Sequence, residues 1–128
     1  MPKAKRILVP GCYYHLYNRG YRRQRIFFER ANYFYFLKQF RRYLTEQTAD
    51  AIAYCLMPNH YHFLIHLRDD SLPKAMHGFT LSYTNAVNRR YGRQGPLFQG
   101  RFQTLHVNSD RYLLHLTRYI RPYRKLNR

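Results

Sequence analysis

Two histidines separated by one residue, His60 and His62 in the segment MPNHYHFLI, are the sharpest chemical feature of the chain. On a β-strand, residues i and i+2 share a face, so both imidazoles project the same way and can meet one cation. Neutral imidazole is a good ligand for Mn, Zn, Co or Ni, and serves Mg when phosphate oxygens and water complete the shell. The alternative is a pair of surface imidazoles on an exposed sheet face. With 7 His in 128 residues, random placement gives roughly 0.4 such pairs, so the pattern alone is weak. His66 continues the face, but four residues at a strand rise of roughly 3.3 Å put it about 13 Å beyond His62, too far to share an ion. Tyr119, in LHLTRYI, lies by helical spacing beside Tyr112 and Leu116 at the margin of an apolar stripe. By composition it is one of 14 tyrosines and reads equally as a core-rim residue.

The third feature is basic charge. There are 23 Lys and Arg against six acidic residues, for a net charge of +17. Arg19, Arg22, Arg23 and Arg25 follow one predicted strand, Lys74, Arg89 and Arg90 fall on a predicted helix, and Arg101 follows a loop. Scattered cations usually form a solvated surface. With so few acids to balance them, phosphate binding is the better reading, and nucleic acid is the expected partner. Aromatic residues reach 18%, which suits stacking on unpaired bases as well as core building. The loop GPLFQGR, residues 95–101, could set Phe98 and Arg101 beside a DNA strand, or could be a well-formed connection.

Several classes are excluded. No apolar run approaches 18 residues, so no membrane span is expected. The start, MPKAKRILVPG, is basic, but its apolar piece is too short for a signal peptide. Cys12 and Cys55 belong to no CxxC pair, which argues against a cysteine-based zinc site and fits a reducing cytosol. No GxxxxGK[ST] or GxGxxG occurs.

The elements that must position these groups follow from periodicity. Length allows one domain, residues 1–128, with 1–11 as a basic arm. Residues 13–19 read as a strand ending at Gly20. Residues 30–47 carry a helical stripe of Tyr33, Phe36, Leu37, Phe40 and Leu44. Residues 50–57 read as a buried strand, Pro58-Asn59 as a turn, and 60–67 as an alternating strand. In that strand Tyr61, Phe63, Ile65 and Leu67 face away from His60, His62, Leu64 and His66. Ser71 is the expected N-cap of a helix with Leu72, Ala75, Met76, Phe79, Tyr83 and Val87 on one face, stopped at Gly92. Residues 101–107 read as a strand. Ser109 or Asp110 caps a last helix over about 110–121, ended by Pro122. A βαββαβ order with an extra helix predicts an α+β, ferredoxin-like or RRM-like sandwich: helices on one face of an antiparallel sheet, the other face partly open.

In order, YHLYNRG, AYCLMPNHYHFLI, YTNAVNRRYGRQGPLFQGRF and YLLHLTRYI resemble the single-tyrosine HUH transposases of small insertion sequences, closest to the REP-associated tyrosine transposases. The likeness runs from about Cys12 to Ile120. It implies that His60 and His62 hold Mg²⁺ or Mn²⁺. It further implies that Tyr119, on the C-terminal helix, attacks a scissile phosphate of single-stranded DNA to leave a 5′-phosphotyrosine. DNA hairpins are the implied substrate and a homodimer or a monomer the implied assembly, and Arg19, Arg22, Arg23, Lys74, Arg89, Arg90 and Arg101, singled out above by charge, are the expected DNA-binding set. The implied place is the cytoplasm of a bacterium or archaeon, at the nucleoid. One departure stands out: the family's third metal ligand, an amide four residues after the tyrosine, is here Tyr123, just after Pro122. A catalytically inactive nucleic-acid-binding derivative is therefore the alternative. A ribosome-associated basic protein would account for the charge but not for the order of motifs.

Overall fold

The computed structural model describes residues 7–107. The expected elements form in the expected order: β1 (Tyr13–Arg19), α1 (Arg30–Phe40), β2 (Ala49–Met57), β3 (His60–Leu67), α2 (Leu72–Tyr91) and β4 (Gln103–Val107). The sheet order is β2-β3-β1-β4, and every neighbouring pair is antiparallel. Two strand-helix-strand crossovers interleaved in this way define the ferredoxin-like α+β sandwich. The helix expected over 110–121, and Tyr119 with it, lies outside the described residues.

Strand parity separates the two faces of the sheet. Leu16, Tyr61, Phe63, Ile65, Tyr54 and Leu56 are buried in one cluster with Phe36 and Phe40 of α1 and Met76, Phe79 and Tyr83 of α2. Phe36 contacts Tyr61 and Phe79, and Phe40 stacks on Phe63 with ring centroids 3.8 Å apart. The imidazoles of β3 are thereby left on the face the helices do not cover. That face is not open throughout: Ala53, Cys55, Leu64 and Val107 form a second buried cluster on it.

Four local expectations are corrected. The first helix keeps α geometry only to Phe40 and widens into a π turn over Arg41–Thr45, where the Thr45 hydroxyl donates to the Arg41 carbonyl. The strand expected to be buried throughout has an exposed first half. A bulge between Ala51 and Ala53 turns Ile52 outward, so the buried run begins at Ala53. Ser71 does occupy the N-cap position, but its hydroxyl donates to Asp69 and makes no cap bond. Finally, the strand expected from Arg101 begins at Gln103.

The connection from Gly20 to Phe28 and the loop before β4 close the end of the sheet where His60 begins. Ile26 and Phe27 are fully buried, and both of their amides donate to the Pro58 carbonyl. The Gly20 amide donates to the Asn59 carbonyl at 2.8 Å, and Gly20 forms an isolated bridge with Phe98. A Cβ at Gly20 would lie 1.9 Å from the Gln24 carbonyl oxygen, which is why glycine stands there.

Candidate metal and nucleic-acid site

The β1–β3 register sets Tyr17 opposite His62 and Arg19 opposite His60. All four side chains therefore share the face away from the helices, as the strand alternation requires. They line an open pocket of about 440 Å³ together with Asn18, Gln99 and Gln103. His60 and His62 are half-buried, and Arg19 is exposed at the rim.

Each imidazole has a hydrogen-bond partner at Nδ1. The Nδ1 of His60 lies 2.8 Å from Asn59 Oδ1. A carbonyl oxygen only accepts, so His60 carries its proton on Nδ1 and its lone pair on Nε2. The Nδ1 of His62 lies 2.7 Å from Nε2 of His15, two residues before Tyr17 on β1. The rings of His15 and His62 are nearly parallel and meet edge to edge, with centroids 4.9 Å apart, and the Tyr17 ring lies nearly parallel to His62 at 5.8 Å. Burial lowers the His62 pKa to about 4, with a smaller push from the charges His15 and His60 would carry. Burial also lowers His60 and His15. At neutral pH all three rings are uncharged, the state a metal needs in a ligand.

The His60 and His62 centroids are 5.0 Å apart with planes at 84°. Two imidazoles bound through nitrogen at about 2.1 Å to one ion place their centroids roughly 4.7–5.4 Å apart for ligand angles between octahedral and tetrahedral. The observed spacing fits a shared divalent cation. Among the described residues no group of three or more His, Cys, Asp or Glu is placed to hold a metal.

The other sequence-derived residues divide between the two sides of the sheet. Arg19 sits in the pocket, while Arg22 and Arg23 follow it on an exposed turn whose φ angles are positive, 53° and 63°. Arg101 is exposed just before β4. Lys74, Arg89 and Arg90 are carried by α2, on the helix layer. There Arg90 pairs with Glu29 at 2.9 Å and, with Arg89, lines a second pocket between α1 and α2. The structure therefore does not bring these three to the imidazoles. His66 is engaged at the far end of β3, with Tyr13 and Asp50. Phe98 is not an exposed stacking platform. It is 5% exposed, and its ring meets Tyr61 edge-on at 5.9 Å. Both cysteines are free thiols.

Sequence reasoning missed His15, Tyr17 and Asn59. The signal for the first two was present: β1 adjoins β3 in a ferredoxin-like sheet, so alternating residues of YYHLYNR must flank HYH on the same face.

The α+β sandwich thus carries its paired, half-buried imidazoles on the sheet face that the helices leave uncovered. A family model for IS200-like transposases matches residues 8–122, and the chain belongs to that family. A solved REP-associated tyrosine transposase bound to a REP hairpin shares the fold, with a TM-score of 0.75 at 16% identity over 94% of this chain and 70% of that one. A protein of Deinococcus radiodurans R1 described as a transposase superposes with a TM-score of 0.60 at 17% identity, over 95% of this chain and 98% of that one. No curated protein sequence matches the chain at a significant level. Among the described residues no helix is long and apolar enough to cross a membrane.

Proposed function

We propose that this transposase cleaves and rejoins single-stranded DNA at hairpins, using a divalent cation and a 5′-phosphotyrosine intermediate. The observation that carries the reading is the His60/His62 pair: two neutral imidazoles 5.0 Å apart, each with a partner at Nδ1, in a pocket with Arg19 at its rim. Mg²⁺ or Mn²⁺, when bound, withdraws charge from the scissile phosphate. His60 and His62 supply the lone pairs that hold it. Arg19 offers a charge-assisted contact to the DNA backbone. The Tyr119 hydroxyl attacks phosphorus as its proton leaves, and the bond to the 3′ oxygen breaks, releasing a 3′-hydroxyl and leaving the 5′ end on the phenol oxygen. Attack by another strand's 3′-hydroxyl reverses the step and joins DNA without ATP.

The hairpin substrate is taken from the REP-bound neighbour. The excess of Lys and Arg supports any single-stranded DNA partner. A homodimer, with the tyrosine helix serving its own or its partner's histidines, is the assembly this reading favours. Its setting is a bacterial or archaeal cytoplasm, at the nucleoid. One observation favours a second reading, an inactive DNA-binding derivative: Tyr123 stands where the family carries an amide ligand.

The test is a denaturing gel of the protein with Mn²⁺ and a short library of single-stranded hairpins. A covalent adduct is expected, lost in Tyr119→Phe while hairpin binding persists. Salt-sensitive binding with no adduct would establish the inactive reading, and an unchanged adduct in Tyr119→Phe would remove Tyr119 from its role.

A further inference from the structure

His62 cannot bind a metal unless its hydrogen bond to His15 runs in one direction. A neutral imidazole carries one proton, so of two neutral rings meeting nitrogen to nitrogen, one donates and the other accepts. If His15 Nε2 donates, the lone pair on His62 Nδ1 is used and the His62 proton sits on Nε2, so neither nitrogen of His62 can ligate. If His62 Nδ1 donates, the His62 lone pair lies on Nε2, matching His60, whose Nδ1 proton goes to Asn59.

We propose that His15 is a positioning residue of the metal centre: its Nε2 accepts the Nδ1 proton of His62, 2.7 Å away, and so fixes the tautomer and the plane of that ligand. The inference rests on the metal-dependent reading above and adds to it a residue on a different strand. Two further observations support it. The rings are nearly parallel, 24° between planes, and centroids 4.9 Å apart with nitrogens 2.7 Å apart place them edge to edge, so the hydrogen bond lies close to the plane of both rings and orients the His62 plane as well as its proton. The contact is also diagonal across the sheet: His15 is the Cα partner of Leu64, while Tyr17 is that of His62. It therefore depends on the β1–β3 register and on no flexible loop. Outer partners of this kind are commonly worth 10- to 100-fold in metal affinity.

The experiment is calorimetric titration of the DNA-free protein with MnCl₂, alongside long-range ¹H–¹⁵N spectra that report which His62 nitrogen is protonated. His15→Phe keeps an aromatic ring but cannot accept. His15→Gln places an amide oxygen where Nε2 stood. A spectrum showing His62 protonated on Nδ1 is expected, with Mn²⁺ affinity falling about 10- to 100-fold in His15→Phe and recovering in His15→Gln. Wild-type protein that binds Mn²⁺, loses it in His62→Ala, but keeps both affinity and tautomer in His15→Phe would overturn this inference and leave the metal-dependent reading standing. Wild-type protein with no Mn²⁺ binding would overturn both. The spectrum of the wild type alone decides the proton's place if a variant fails to fold.

Discussion

Replacing Phe98 with alanine separates a structural role from a DNA-stacking role in the loop before β4. Phe98 is 5% exposed, with Leu97 beside it fully buried, and its ring lies against Tyr61 and Tyr83. Removing a buried phenylalanine costs about 3–5 kcal/mol, as lost transfer energy plus a cavity. At roughly 4 °C per kcal/mol for a domain of this size, the melting midpoint falls by about 12–20 °C. The loss reaches the pocket through the backbone. The Gln99 amide donates to the Arg19 carbonyl at 2.9 Å, and the Asn18 side chain donates to the Gly100 carbonyl at 3.1 Å. A base-stacking aromatic would behave in the opposite way, costing about 1–3 kcal/mol of single-strand affinity with little effect on stability. Urea titration at constant m-value measures the first quantity, and hairpin binding at a temperature where the variant is folded measures the second. A variant within about 1 kcal/mol of wild-type stability that binds hairpin ten-fold or more weakly would refute the placement of Phe98 in the core.

Two other perturbations have defined signs. Gly20→Ala forces a Cβ against the Gln24 backbone oxygen, and because a backbone group cannot swing aside as a side chain can, thermal denaturation should show a loss of about 1–3 kcal/mol; an unchanged midpoint would mean the 20–24 turn is looser than described. In metal-free protein, the lowered pKa values of His15, His60 and His62 mean that the folded state binds fewer protons than the unfolded state below their ordinary value of 6.5. Stability is therefore full above that pH and declines as pH falls toward about 4, the value for His62. Melts in EDTA between pH 7 and 5 should show the decline, with a shallower slope in His62→Asn; a flat profile in the wild type would contradict the burial of these rings.

Much of this architecture is legible in the sequence because strand alternation and helical stripes are strong signals. HYHFLIHL shows its two faces outright, and the stripe from Leu72 to Val87 is the buried face of α2. The failures have physical causes. The outward bulge at Ile52 breaks a pattern that sequence alone reads as continuous apolar strand. Asn32 and Gln39 are buried polar residues on α1 that an apolar stripe does not include, although the Asn32 oxygen accepts from the Phe28 and Glu29 amides at the helix start. Of the site, His60 and His62 were legible from spacing within one strand. His15 could have been placed on the same face from the expected strand order, but its hydrogen bond to His62 depends on the exact β1–β3 register, which the sequence does not give. The basic residues could be counted but not sorted into those beside the pocket and those on the helix layer.

The division of β3 between core and pocket carries a genetic consequence. Odd-numbered positions from Tyr61 to Leu67 face the helices, and even-numbered His60 and His62 face the pocket. Deleting or inserting one codon between Asn59 and His62 would shift this parity, driving imidazoles toward the aromatic interior and rings toward solvent. A one-codon indel in this stretch is thus expected to disturb the core and the pocket together.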